Sequence, residues 1–303
     1  MSRLLVQGNV NLETTLRIPT FPIPYQSAQF VPHAVDIGVS GVGYNLAKAL
    51  SVLGDEVVLA AILGRDTAAA TIRKQLHDDG LRDRYVLGQA DKTALSVVAY
   101  DASGKRAAFA DLKDLMTQVY PHDLFSQALA GVEAVLFTQA AYCRPLLATA
   151  RDAGKLLAVD LQLIADLDDP YKRPYLESAE VVFMSGEALP EPPETWAWHL
   201  LERYPGVRVV GIGLGAEGAL LAVRDTGLTL PVPSVATRPV VNTSGAGDAL
   251  FACFMHYYLS TRDAEASLRR AVVFASFKIG EAGSSQGLLD EADLEQLYRS
   301  LHA

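Results

Sequence analysis

The stretch Asn242-Thr243-Ser244-Gly245-Ala246-Gly247-Asp248 runs directly into Ala249-Leu250-Phe251-Ala252-Cys253-Phe254-Met255. Two glycines around an alanine let the backbone turn sharply, and the apolar run behind them reads as a buried helix that begins at the turn. Unpaired amides and the positive end of a helix dipole together suit a phosphate or a developing negative charge. Asp248 is the only acid between Asp225 and Asp263, and it sits where that helix starts. An acid in a first turn can simply complement the dipole. Here Asn242, Thr243 and Ser244 already offer caps, and a Gly-Ala-Gly turn has more freedom than a cap requires. The segment therefore reads as an anion site with a carboxylate beside it.

Outward from that turn, short runs rich in Val, Ile and Leu recur at residues 4–7, 57–63, 134–138, 156–161, 181–184 and 207–212. Their continuous apolarity predicts strands buried on both faces. Between them, residues 45–53, 68–79, 145–153 and 194–204 carry apolar positions at helical spacing, the first with Gly54 as its stop. This alternation implies a mostly parallel sheet covered by helices on both sides. Residues 14–39 and 94–111 stand apart. The first holds Pro19, Pro22 and Pro24 and no helical period, and the second places Asp101-Ala102-Ser103-Gly104 between two β-prone runs. Together they predict a small second sheet, placed to act as a lid over a site at the strand ends.

Composition narrows the function classes. The 303 residues are 50% hydrophobic and 20% charged, which supplies a large core and rules out a disordered chain. A net charge of −9 without a basic block argues against nucleic-acid or anionic-membrane partners. Cys143 and Cys253 lack partners at ligand spacing, so they read as buried thiols in a reducing compartment rather than a zinc site or disulfide. No apolar run approaches the roughly 20 residues of a membrane span, and Leu4-Leu5-Val6 reaches Gly8-Asn9 too soon for a signal peptide. A cytoplasmic chain forming one domain over residues 1–303 is expected.

Three other glycine-rich stretches bear on chemistry. In Gly38-Val39-Ser40-Gly41-Val42-Gly43-Tyr44-Asn45, the glycines admit a ligand close to the backbone or simply make a tight connection, and Asn45 offers a donor and an acceptor. In Gly8-Asn9-Val10-Asn11-Leu12-Glu13, which follows the first strand, Asn11 and Glu13 either accept bonds from substrate hydroxyls or are ordinary loop residues. Gly213-Leu214-Gly215-Ala216-Glu217-Gly218 matches G-x-G-x-x-G and raises an NAD-dependent oxidoreductase. A strand-like run follows instead of a helix, however, and no acid occurs from 226 to 247 to hold a ribose. There is no P-loop, and Gly38-Val39-Ser40-Gly41-Val42 lacks the last glycine of a nucleophile elbow.

In this order, the motifs resemble the ribokinase-like, or PfkB, family of sugar and nucleoside kinases. Gly245-Ala246-Gly247-Asp248 with Thr243 matches its signature D-T-x-G-A-G-D, and Gly41-Val42-Gly43-Tyr44-Asn45-Leu46-Ala47 is similar to G-G-x-G-x-N-x-A. The resemblance covers essentially the whole chain. It implies a three-layer α/β/α domain with a mostly parallel central sheet and a β-sheet lid, transferring the γ-phosphoryl group of ATP to an alcohol with Mg²⁺ on the phosphates. By position, Asp248 is the implied general base, and the amides of Gly245, Ala246 and Gly247 are the implied anion hole. Asn11, Glu13, Gly41, Gly43 and Asn45 are implied to line the substrate pocket, and Gly213, Gly215, Gly218 and Thr243 the ATP site. Lid sheets in this family can pair into homodimers.

Three departures matter. Asn242 stands for the usual Asp where relatives often hold a monovalent cation. Glu187, in Ser185-Gly186-Glu187-Ala188, is one place early for the N-x-x-E segment that helps organise Mg²⁺ through water. Glu13 stands for the usual Asp. Ser40-Gly41-Val42-Gly43-Tyr44-Asn45, Asn242 and Phe109-Ala110-Asp111-Leu112 look more like the pseudouridine-kinase branch than like ribokinase or fructokinase, with Tyr44 or Phe109 stacking on a base or else packing the lid, which favours a nucleoside over a simple sugar as acceptor. A ligand-sensing protein of the same fold is the alternative from another class.

Overall fold

The computed structural model describes residues 1–302. The first part of the chain forms β1 (Arg3–Gln7), β2 (Asn11–Arg17), β3 (Val35–Ser40), α1 (Val42–Val52), β4 (Glu56–Leu63), α2 (Thr67–Asp78) and β5 (Tyr85–Gly88). It continues through β6 (Leu95–Tyr100), β7 (Arg106–Asp111), α3 (His122–Ala128), β8 (Ala134–Phe137), α4 (Leu147–Asp152), β9 (Leu156–Leu163) and α5 (Arg173–Ser178). Then come β10 (Val181–Ser185), α6 (Pro193–Arg203), β11 (Val209–Gly213), β12 (Ala219–Val223), β13 (Leu228–Val232), α7 (Ala246–Thr261), α8 (Ala264–Lys278) and α9 (Glu291–His302).

Nine strands make one sheet in the order β13-β12-β11-β10-β9-β8-β1-β4-β5. Neighbours from β5 to β11 pair in parallel, and β12 and β13 return antiparallel at one edge. Successive residues of a strand face opposite sides, so Leu4 and Val6 pack among α1, α7 and α8, while Leu5 packs among α3, α4 and α6. The six expected apolar runs all lie in this sheet. Beyond them it holds β12, the strand-like run after Gly218, and β5 and β13 at its two edges, where strands are half-buried and their apolar runs short or interrupted; β13 even tolerates Pro231.

The chain lays β4 and β5 on one side of β1 and β8 to β11 on the other, so the order reverses between β1 and β8. In such sheets a crevice opens at the carboxyl ends of the strands at that point. Helix α7 is held against the sheet by aromatic packing. The Phe183 ring lies 5.0 Å from Phe251 and 4.9 Å from Phe254, and it sits so close over Gly211 that a Cβ there would fall 2.4 Å from it.

Four strands form the second sheet in the order β3-β2-β6-β7. Its strands begin at Asn11 rather than near residue 14, and residues 18–34 connect β2 to β3 without a strand of their own. Asn11 and Glu13 are thus not loop residues past β1. The chain turns at Gly8-Asn9 and enters β2 at once, pairing with β3 and β6. The pairing register puts Asn11, Glu13, Ser40, Ser96 and Arg106 on one face and the row Ile37, Thr14, Val97 and Phe109 on the other.

Candidate active site

The Asn242 to Asp248 segment folds around Asn242, which is fully buried. Its Oδ1 accepts the Ser244 amide at 3.0 Å and its Nδ2 donates to the Ala282 carbonyl at 2.6 Å. Gly245 then takes φ +78°, in the left-handed region, and begins α7. Only glycine fits, because a Cβ would lie 2.1 Å from the Ser284 carbonyl oxygen. The Ala246 amide is turned onto the Thr243 carbonyl at 3.2 Å, whereas the Gly245 and Gly247 amides have no acceptor among the described residues. Around Gly247 a Cβ would meet open space. Of the three amides that the motif implies, the turn leaves those of Gly245 and Gly247 free, and the Asp248 amide at the helix N-terminus likewise has no acceptor among the described residues.

Asp248 projects from the first turn of α7 and is buried. Asn45 Nδ2 donates to its Oδ2 at 2.7 Å, while Asn45 Oδ1 is buried without a partner. Gly41 and Gly43 deliver Asn45 by letting α1 start against the Gly8-Asn9 turn. A Cβ on Gly41 would lie 2.6 Å from the Asn9 carbonyl oxygen and one on Gly43 2.6 Å from the Gly8 carbonyl carbon, and the Gly43 amide donates to Asn9 at 2.9 Å. These two glycines thus serve a close backbone crossing, and Asn45 carries the polar contact.

The polar face of the second sheet completes the site. Glu13 is buried, and its Oε2 accepts from Ser40 Oγ at 3.1 Å and Ser96 Oγ at 3.4 Å. Asn11 Nδ2 donates to Ser96 Oγ at 2.8 Å, and Arg106 donates to Ser244 Oγ at 3.3 Å. Burial pushes the Asp248 carboxyl up to about 6. The Asn45 bond and the charges of Lys278 and Arg106 oppose that rise, and Glu13 adds to it.

On the nucleotide side, Gly213 ends β11 with Leu250 of α7 at 3.9 Å from its would-be Cβ. The next residues form a tight turn into antiparallel β12, not a helix, so the dinucleotide reading of the glycines is excluded. Gly215 faces open space at φ +59°. Gly218, at φ +104°, is demanded by packing, since a Cβ would sit 2.2 Å from the Val232 carbonyl oxygen. Glu187 lies in a short turn after β10, exposed and without an ion pair among the described residues. Thr243 lies near the turn between β6 and β7, where a Cβ on Gly104 would fall 3.9 Å from its Cγ2.

Neither aromatic expected to stack on a base reaches the crevice. Tyr44 is buried in the core and its hydroxyl donates to Asp79 beyond α2, while Phe109 is on the outer face of the second sheet. Three charged groups at the site escaped the motif reading: Arg106 on the second sheet, Asp160 and Lys278. Asp160, near the end of β9, is buried and faces Asp248; burial first, then the Asp248 charge, raises its carboxyl to about 7. Its signal was present as the only polar residue in the run 156–161. Lys278, the last residue of α8, is fully buried and donates to the Ser244 carbonyl; its sequence context is that of an ordinary helix end. No three His, Cys, Asp or Glu side chains converge on a metal position among the described residues, and none of the helices there is long and apolar enough to cross a membrane.

Comparison with known proteins gives a consistent picture. The pfkB family carbohydrate kinase profile matches residues 2–291. An acarbose 7(IV)-phosphotransferase of Actinoplanes sp. is 25% identical over 96% of each chain, and a 1-phosphofructokinase of Haloferax volcanii is 28% identical over 93% of this chain and 92% of its own. A deoxyribokinase of Salmonella typhi is 39% identical over 79 residues, a match that spans only 26% of this chain and 25% of that protein. Among solved structures, a microbiome-derived acarbose kinase superposes with a TM-score of 0.88 at 24% identity, over 98% of this chain and 99% of its own. A nucleoside kinase of Burkholderia thailandensis in complex with inosine gives 0.80 at 17% identity, over 98% of each chain. Matched along residues 2–291 and sharing its fold with these kinases, the chain belongs to the pfkB family of carbohydrate kinases, phosphotransferases that act on hydroxyl groups.

Proposed function

We propose that the protein is a cytoplasmic, ATP-dependent kinase that transfers the γ-phosphoryl group to a hydroxyl of a small sugar. The observation that carries this reading is the buried Asp248 carboxylate, held by Asn45 at 2.7 Å beside a turn whose Gly245 and Gly247 amides are free. Asp248 takes the hydroxyl proton as that oxygen attacks phosphorus, and the two amides with the α7 dipole offset the charge on the transferring group. Asn11, Glu13 and Asn45 hold the acceptor, and Gly213, Gly215 and Thr243 border the nucleotide. Glu187, exposed and unpaired, fits a water-mediated role toward Mg²⁺, which neutralises phosphate charge when bound. The second sheet acts as the lid, its Glu13, Ser96 and Arg106 face closing over the crevice.

A sugar is favoured over a nucleoside because Tyr44 and Phe109 are turned away from the crevice. A panel of ribose, deoxyribose, fructose, acarbose, adenosine and pseudouridine, assayed for ADP release, tests this. Stimulation by a sugar supports the proposal, stimulation by a nucleoside alone overturns the acceptor class, and tight sugar binding without turnover favours a sensor.

The lid's outer face supports a homodimer. Ile37 is 61% exposed, Phe109 68% and Val97 44%, forming an apolar row with Thr14 on the side opposite the polar crevice face. A second copy of the same row is its natural cover. The native chain is expected to run as a dimer in size exclusion with light scattering, and Val97→Asp as a monomer of similar melting temperature. A native monomer at about ten micromolar would set aside a dimer whose Kd lies well below that concentration.

A further inference from the structure

One buried charge has no part in the chemistry above. Lys278 ends α8 with no exposed surface, and its Nζ donates to the carbonyl of Ser244, the residue before left-handed Gly245. It sits at the negative end of the α8 dipole, where a cation is favoured. Burial lowers the ammonium to about 8; Asp248 and Glu13 stabilise its charge from across the site, while Arg106 and Arg238 oppose it. On the same turn, the Asn242 amide caps the Ala282 carbonyl at 2.6 Å.

These contacts bear on the monovalent cation that the resemblance implies behind this turn. Such an ion needs free carbonyl oxygens and a nearby carboxylate. Here the Ser244 and Ala282 carbonyls each accept from a donor of the chain, position 242 carries a neutral amide, and an ammonium is already in place. The residues present do not fit the ion.

We propose that Lys278 is the resident cation of this turn, holding Ser244 and therefore the Gly245 amide in position, so that the protein requires no monovalent cation. Lys278 acts through the Ser244 carbonyl and is a positioning residue. The inference rests on the kinase reading only for its effect on turnover; its effect on the turn itself does not.

The test exchanges K⁺ for tetramethylammonium, too large for the turn, at a constant ionic strength of about 0.1 M. The native protein is expected to keep its melting temperature and ATP affinity, with kcat changed by less than about twofold. In the double variant Asn242→Asp/Lys278→Ala, which restores a carboxylate, frees the Ala282 carbonyl and removes the ammonium, K⁺ or ammonium is expected to raise the melting temperature over tetramethylammonium, as a ligand bound only by the folded state does, and to improve ATP affinity by about fivefold. A native melting temperature or ATP affinity that rises with K⁺ overturns the proposal, whether or not the variant folds. So does a folded Asn242→Asp/Lys278→Ala variant indifferent to small cations. Failure of every acceptor to be phosphorylated would count against the kinase reading alone, because melting and ATP binding still decide the role of Lys278.

Discussion

Asp248→Asn is expected to lower kcat by about 10²–10⁴-fold, the usual contribution of a positioned general base, while the KM for ATP moves by less than about threefold. The amide keeps the shape of the carboxylate and can still pair with Asn45, so the turn and the α7 N-terminus stay in place. What disappears is the acceptor for the hydroxyl proton. Stability should respond in the opposite sense. The Asp248 carboxyl is raised from 3.8 to about 6, mainly by burial. The folded state thus binds a proton that the unfolded chain has released, and stability falls as pH rises from about 4 to about 6. A rise from 3.8 to about 6 corresponds to about 3 kcal/mol, fully felt above the folded value. Asp248→Asn removes that penalty, so at pH 7.5 the variant should melt no lower than the native protein and should show a flatter melting curve against pH between 4 and 6. Native turnover should rise with pH through about 6 as the base ionises. Because Asp160, at about 7, faces the same carboxylate, the apparent value belongs to the pair. Turnover kept within about tenfold in Asp248→Asn would remove Asp248 from the role of base.

Asp248 was readable in the sequence because capping alone does not account for a lone acid placed after Gly-Ala-Gly and before an apolar helix. The central strands were readable because burial on both faces leaves an unbroken apolar run, and β5 and β13 were not because edges relax that demand. Asp160 left a trace, a carboxylate inside such a run, which no motif drew out. Tyr44 misled for a geometric reason. Its neighbour Asn45 faces Asp248, but each helical residue turns about 100° from the last, which sends Tyr44 toward Asp79. Lys278 was illegible altogether. A basic residue in a last turn is ordinary helix chemistry, and only the packing of α8 on α7 brings it to Ser244, 34 positions away in sequence.

Gly245→Ala is expected to cost both stability and rate, and its comparison with Gly247→Ala separates the two. At Gly245 the backbone has φ +78° and a Cβ would lie 2.1 Å from the Ser284 carbonyl oxygen. The left-handed conformation costs an alanine about 1–2 kcal/mol, and the forced shift of packed backbone about 1–3 kcal/mol more. Ser284 cannot yield freely, because its hydroxyl bonds Ser40, which in turn bonds Glu13. The strain therefore spreads into the acceptor side of the site. Displacing the Gly245 amide should lower kcat by about 10²–10³-fold, as loss of one donor to a developing anion does. Gly247 has ordinary helical backbone and open space around its would-be Cβ. Gly247→Ala should therefore leave the melting temperature unchanged or slightly raised, since alanine favours a helix over glycine by about 0.5–1 kcal/mol. Its methyl group would instead occupy the space in front of the free amides, weakening ATP affinity and turnover together. If both variants lost stability alike, or if Gly247→Ala kept full activity, the open space before that turn would not be where the phosphates bind.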